Sequence, residues 1–121
     1  MSWLKIYEWE EQTYPEFQKI EIARSDVQKY LNKFTRHFKV QKIMVDMSAK
    51  GRDKESGSYR AGMIKVGHIS TFGIVIHEFA HHLTREVFGK GHHHDKKFKG
   101  CLKKVYTFAK IYLPTYEKTQ I

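Results

Sequence analysis

The chain contains the stretch IHEFAHHL at residues 76–83, which includes the pattern H-E-x-x-H. In an α-helix, residues i and i+4 lie one turn apart on the same side, so His77 and His81 can bind one metal ion together. Glu78 would then lie beside the ion, where its carboxylate can take a proton from a water molecule. We therefore expect a metal-binding helix here, with the rest of the fold arranged around it.

The residues that flank the motif predict a long amphipathic helix. Ser70 or Thr71 can cap its first turn, and Gly89 can end it after residue 88. The apolar positions recur at helical spacing and form one stripe: Ile76, Ala80, Leu83 and Val87.

The two motif histidines, His77 and His81, project about 100° to one side of the centre of that stripe, at the edge of the core. Two metal ligands that face a cleft are expected to project from the edge of the core in this way. His82 projects about 100° further round, on the side of Glu78, so it is a poor third ligand for the same ion. The alternative is a helix with ordinary surface histidines and no metal.

A catalytic zinc site has three protein ligands and one open position. The candidates for the third ligand are three consecutive histidines: His92, His93 and His94. A final amphipathic helix is predicted at 95–113, and His94 precedes its apolar position Phe98 by one turn. The register therefore favours His94, although ligation by His92 or His93, or a solvated loop, stays open.

The remaining patterns predict an α+β fold, with one small domain over residues 1–121 and a short, mostly antiparallel or mixed sheet. That sheet would pack on a first helix, the H-E-x-x-H helix and the C-terminal helix. Ser25 and Gln28 match a capping box at the start of the first helix. The predicted elements before residue 70 are β-compatible stretches at 3–9 and 17–22, a helix at 25–38, and strands at 43–47 and 59–66.

The composition narrows the class of protein. A chain of 121 residues and 14.4 kDa with one cysteine, Cys101, has no internal disulfide and no four-thiolate zinc site. No apolar run reaches the ~18 residues that a membrane span needs. The first residues lack the pattern of a signal peptide, so we expect a cytoplasmic protein.

The formal net charge is +9, and residues 85–110 hold eight basic and two acidic side chains. This region could attract nucleic acid, or it could be a lysine-rich solvated helix face. Three aromatic residues, Trp3, Trp9 and Tyr14, lie in the acidic N-terminal segment, away from this basic region, which argues against base stacking beside it. The lysines that would contact nucleic acid are Lys96, Lys97, Lys99, Lys103 and Lys104.

The stretch HEFAHH, followed by HDKKF at residues 94–98, resembles the SprT/Spartan-like zincin metallopeptidases. These proteins carry H-E-x-x-H and, after a short connection, a histidine that is followed four positions later by Phe or Trp. The resemblance covers roughly residues 25–113 and is specific over 77–98. It implies a zincin-like fold, and it implies that 59–66 is the sheet-edge strand beside the substrate cleft. Many members bind DNA and cleave proteins attached to it.

Carried over by position, the resemblance implies that His77, His81 and His94 bind Zn²⁺ and that Glu78 is the general base. The expected activity is that of a zinc-dependent metallopeptidase, an endopeptidase that cleaves a protein or peptide substrate through a metal-activated water. An additional hydrogen-bond donor for the oxyanion is expected, and nothing in the sequence selects among Tyr59, Tyr106, Tyr112 and His82.

Two alternatives remain at this point. One is a non-catalytic, zinc-stabilised module that binds nucleic acid or protein through the basic C-terminal face. The other is a site that works only within a complex with a partner protein.

Overall fold

The computed structural model describes residues 3–48 and 57–111. Over these residues the chain forms a small α+β structure, which confirms the predicted fold class. The elements, in chain order, are α1 (Trp3–Thr13), α2 (Pro15–Lys19), β1 (Glu21–Ala23), α3 (Arg24–Phe38), β2 (Met44–Val45), β3 (Gly57–Arg60), β4 (Met63–Val66), β5 (Ile69–Thr71), α4 (Phe72–Phe88) and α5 (Lys96–Ala109).

The strands form two small sheets. Strands β1 and β5 pair antiparallel, whereas β2, β4 and β3 form a mixed sheet in which β4 is central. Strand β3 is therefore an edge strand, and it packs against α4. This arrangement places a strand edge beside the helix that carries H-E-x-x-H.

The prediction of one strand over 59–66 is wrong, because this segment is the larger part of a hairpin. Ala61 and Gly62 both have positive φ, at 48° and 85°, and connect β3 to β4. Two successive residues with positive φ are typical of the tight turns that match the twist of paired strands. The turn reverses the chain, so that Tyr59 pairs with Ile64.

The β-compatible stretch at 3–9 is helical, so this prediction is wrong, and the stretch at 17–22 is helical to Lys19 but forms part of β1 at Glu21 and Ile22. Short apolar runs fit either period, and packing decides between them. In α1 the buried residues Ile6 and Glu10 lie one helical turn apart. Pro15 occupies the first turn of α2, where its missing N–H costs nothing.

Helix α3 forms where it was predicted, but its capping box does not. The N-cap residue is Ala23, and no side chain caps the helix. Gln28 instead reaches the incoming chain of β2. Its Nε2 donates to the carbonyl of Ile43 at 2.8 Å, and its Oε1 accepts from the N–H of Val45 at 2.9 Å.

The two C-terminal helices follow the predicted boundaries closely. Thr71 caps α4 by accepting a hydrogen bond from the N–H of Ile74, and Gly89, with φ of 91°, ends the helix. Asp95 caps α5 by accepting from the N–H of Phe98 at 2.9 Å. Helix α5 ends at Ala109, before the predicted end at 113, and residues 110–111 form a turn; positions 112–113 lie outside the described residues.

The N-terminal aromatic residues pack on α5, which corrects their expected separation from the basic region. The Nζ atoms of Lys99 and Lys103 lie 4.7 and 5.8 Å from the centre of a Trp9 ring. Tyr14 stacks on Tyr106 with ring centres 4.0 Å apart. No described helix is both long and apolar enough to cross a membrane.

We expect Gln28→Ala to lower the free energy of unfolding by about 1–3 kcal/mol, because two backbone groups of the β2 segment lose their partner. Ser25→Ala should change it by less than about 0.5 kcal/mol, because Ser25 caps nothing. Urea denaturation of both variants measures the difference. If Ser25→Ala alone lowered the free energy of unfolding by about 1 kcal/mol, Ser25 would cap the helix after all, as the capping box predicts.

Candidate metal centre

The middle turns of α4 and the loop before α5 bring three histidines together. His77 and His81 lie one turn apart on α4, and His94 lies two residues before α5. The Nε2 atom of His94 is 3.0 Å from Nε2 of His77 and 3.2 Å from Nε2 of His81. One ligand atom from each residue lies within 4.8 Å of the others. The three side chains are close enough to hold a metal ion.

These separations suit a tetrahedral metal. Ligand atoms at about 2.0–2.1 Å from zinc in a tetrahedral site lie about 3.3 Å from one another. The two Nε2–Nε2 distances from His94, to His77 and to His81, fall near this value. The donor set and its spacing therefore fit a small divalent ion.

The environment keeps the ligand nitrogens of His81 and His94 unprotonated. Burial, together with the neighbouring His77, lowers the pKa of His81 to about 3 and that of His94 to about 4. A metal ion needs the lone pair that a proton would otherwise occupy. At neutral pH both rings are thus uncharged and able to bind an ion.

A buried carboxylate from α1 orients the first of these histidines. Oε1 of Glu10 accepts a hydrogen bond from Nδ1 of His77 at 2.5 Å, and Oε2 accepts from the hydroxyl of Tyr106. Glu10 is only 2% exposed. The Nδ1 proton held by Glu10 leaves the lone pair on Nε2 of His77, which faces the other two histidines.

Sequence reasoning missed Glu10. The signal is an acidic residue one helical turn after the apolar Ile6. It was not recognised because residues 3–9 were interpreted as β-compatible. A helical interpretation would have placed Glu10 on the core side of α1, where a carboxylate needs a partner.

Glu78 lies within the same cleft, and its side chain is almost fully buried. Burial raises the pKa of its carboxyl to about 7, against the opposing effect of His77. Strand β3 approaches it closely at Gly57, where an added Cβ would lie 2.8 Å from Ile74 and 3.1 Å from Glu78. The absence of a side chain at Gly57 lets the edge strand pass beside this carboxylate.

Tyr7 from α1 forms a wall of the cleft and was also missed. Its ring stacks on His77 with centres 4.9 Å apart and planes 13° from parallel. Burial and the nearby Glu78 and Glu10 raise the pKa of Tyr7 to about 12, so its hydroxyl keeps its proton at neutral pH.

Two of the tyrosines considered as oxyanion donors use their protons elsewhere. The hydroxyl of Tyr106 donates to Glu10 and accepts from Gln18. The ring of His82 donates from Nε2 to the carbonyl of Gln41 at 2.7 Å, so its Nδ1, when the ring is neutral, accepts from the hydroxyl of Tyr59 at 2.8 Å. Both tyrosines and His82 thus stabilise the fold around the site, and Tyr112 lies outside the described residues.

The other two histidines of the triplet do not join the cluster. His92 bonds through Nδ1 to the carboxylate of Asp95 at 2.7 Å, and His93 is exposed at the cleft rim. The register of α5 with the core, which begins at Phe98, brings His94 inward. The structure therefore places His94, rather than its two neighbours, beside His77 and His81.

Comparison with known proteins identifies no relative of this chain. No protein-family model matches the sequence, no curated protein is similar to it, and no solved structure matches its fold.

We expect Glu10→Gln to weaken zinc binding about 10- to 100-fold, because the amide holds the Nδ1 proton of His77 less strongly than a carboxylate does. Glu8→Gln, an exposed change on the same helix, is the matched control and should leave zinc affinity unchanged. Competition against a chromophoric chelator measures both affinities. Equal affinities in the two variants would show that Glu10 does not orient the ligand.

Proposed function

We propose that the protein is a zinc-dependent metallopeptidase that cleaves internal peptide bonds. The observation that carries the proposal is the meeting of three histidine nitrogens and one buried carboxylate, Glu78, in the same cleft. The resemblance of residues 77–98 to SprT/Spartan-like zincins supports the same activity. Zinc is the proposed ion because three imidazoles with an open fourth position are typical of catalytic zinc sites.

His77, His81 and His94 would hold the ion, with Glu10 orienting His77. When bound, zinc supplies Lewis acidity, which makes water nucleophilic near neutral pH and polarises a carbonyl group. Glu78 would accept the proton of the attacking water and deliver it to the leaving amine. Burial disfavours the charged form of this carboxylate, which makes it a better proton acceptor than an exposed one.

Strand β3 provides a surface for the substrate. It is the edge of its sheet, and Gly57, Ser58 and Tyr59 line the cleft that contains Glu78. A peptide in extended conformation can pair with the backbone of such an edge. Main-chain hydrogen bonds would then hold the scissile bond between β3 and α4, largely without regard to sequence.

Glu78→Gln should lower the rate of hydrolysis of an unfolded protein substrate at least about 100-fold, because an amide cannot accept the proton. Zinc content should stay at one ion per chain, whereas His94→Ala should lose the ion. Glu86→Gln, an exposed change on the same helix, is the matched control. Equal rates in wild type and Glu78→Gln would refute the assignment.

Tyr7 is the proposed donor to the oxyanion that forms as the carbonyl is attacked. Its ring lies against His77 and lines the cleft next to Glu78, and its hydroxyl is protonated at neutral pH. A tyrosine hydroxyl that reaches the developing charge stabilises the transition state more than the bound substrate.

Tyr7→Phe retains the stacked ring and removes only the hydroxyl. We expect kcat to fall about 100-fold with little change in KM or zinc content, because the lost hydrogen bond would form only in the transition state. Tyr59→Phe is the comparison, since it removes a cleft hydroxyl whose proton goes to His82. A fall in kcat that is no larger in Tyr7→Phe than in Tyr59→Phe would exclude this role.

Nucleic-acid binding is the second candidate function, and the structure supplies an observation in its favour. Two lysines of α5, Lys99 and Lys103, lie beside a half-buried Trp9, so positive charge and an aromatic ring share one surface. Such surfaces suit single-stranded nucleic acid. Salt-dependent DNA binding by wild type and Glu78→Gln alike, without hydrolysis by either, would favour a binding module over a peptidase.

A further inference from the structure

The cleft continues on both sides of Glu78, and the two sides carry opposite charge. Two cavities, of about 340 and 170 Å³, share Tyr7, Gly57, His77 and Glu78 in their walls. Apart from the histidines, the charged residues that only the larger cavity contains are Arg85 and Lys90. Those that only the smaller contains are Glu10 and Glu11.

Arg85 occupies a defined place in the larger cavity. It follows His77 and His81 at the same four-residue spacing, so the three side chains form one row along α4. Its Nη1 atom lies 3.5 Å from the hydroxyl of Tyr59 on β3, so the guanidinium is between the helix and the edge strand. Among the residues that the structure describes, it forms no ion pair with a carboxylate.

We propose that Arg85 binds an acidic side chain of the substrate and so makes the enzyme selective for acidic peptides. The proposal rests on the peptidase activity proposed above and adds the substrate class. A guanidinium forms two parallel hydrogen bonds with a carboxylate, an arrangement that an uncharged amide cannot match. Lys90 adds positive charge to the same half of the cleft.

The helix geometry sets which substrate residue Arg85 meets. One turn separates Arg85 from His81, about 6 Å along the helix axis. An extended peptide advances about 3.3 Å per residue, and alternate side chains face the same way. The acidic side chain is therefore two residues from the scissile bond, on the side that faces the C-terminal end of α4.

The charge asymmetry also orients the substrate. A basic side chain on the other side of the scissile bond would face Glu11 in the smaller cavity. A peptide with Glu at one end and Lys at the other should therefore fit in one direction. Its counterpart, with the two residues exchanged, places like charges together in both halves of the cleft.

The test uses two quenched fluorescent peptides of identical composition, one with Glu before and Lys after the cleavage position and one with the two exchanged. A third peptide replaces Glu by Gln. We expect the zinc-loaded wild type to prefer one Glu/Lys order, and Glu over Gln in that order, by about tenfold in kcat/KM. Arg85→Glu should abolish or reverse both preferences.

The matched control is Arg36→Glu, the same charge reversal at an exposed position of α3 outside the cleft, which should retain both preferences. Equal kcat/KM for all three peptides, or preferences that survive in Arg85→Glu, would overturn the proposal.

A parallel measurement separates this proposal from the activity itself. Binding of the Glu and Gln peptides to zinc-loaded Glu78→Gln, by fluorescence anisotropy, does not require hydrolysis. Tighter binding of the Glu peptide that depends on Arg85 would support acidic recognition even if wild type cleaved nothing. Equal binding of the two peptides would count against it, whatever the rate of cleavage.

Discussion

The buried carboxylate of Glu10 is the interaction on which the arrangement of the site depends. It accepts hydrogen bonds from His77 of α4 and from Tyr106 of α5, although it belongs to α1. A carboxylate away from water is costly unless its oxygens are paired, so all three helices must dock together to satisfy it. Docking in turn selects the tautomer of His77 that presents a lone pair to the other histidines. The docking of these three helices therefore also orients His77 for the candidate metal site.

The buried groups of the candidate metal centre reduce the stability of the fold before an ion binds. Three imidazole nitrogens point at one another, and burial keeps the rings of His81 and His94 neutral. Glu78 is a carboxylate whose charged form is disfavoured by the same burial. A bound divalent cation would offset both costs. It accepts the lone pairs of the three imidazoles, and its positive charge stabilises the negative charge of the carboxylate. Binding of a metal ion by these residues should therefore contribute to folding.

Much of the fold could be predicted where one local pattern was strong. Helices α3, α4 and α5 each have a sustained apolar stripe, and Thr71 with Gly89 sets the limits of α4, so their positions follow from periodicity and end signals. Prediction failed for 3–9 and for residues 17–19, because short apolar runs fit a strand as well as a helix. It also failed at the tight turn of Ala61 and Gly62, which lacks the residue pair that would have marked it. The capping-box pattern failed for a different reason: Gln28 had a better partner in β2.

The sequence by itself determined the candidate ligand pair His77 and His81, because their spacing follows from the 3.6-residue repeat, and the register of α5 favoured His94 without excluding His92 or His93. It also determined that the domain combines helices with short strands. Only the tertiary structure decided which distant residues surround that set. Glu10 and Tyr7 come from α1, and Gly57 comes from an edge strand, at separations in sequence that no local period encodes. The physical reason is that a helix period reports which side of an element is buried, whereas the neighbour on that side depends on how all the elements pack.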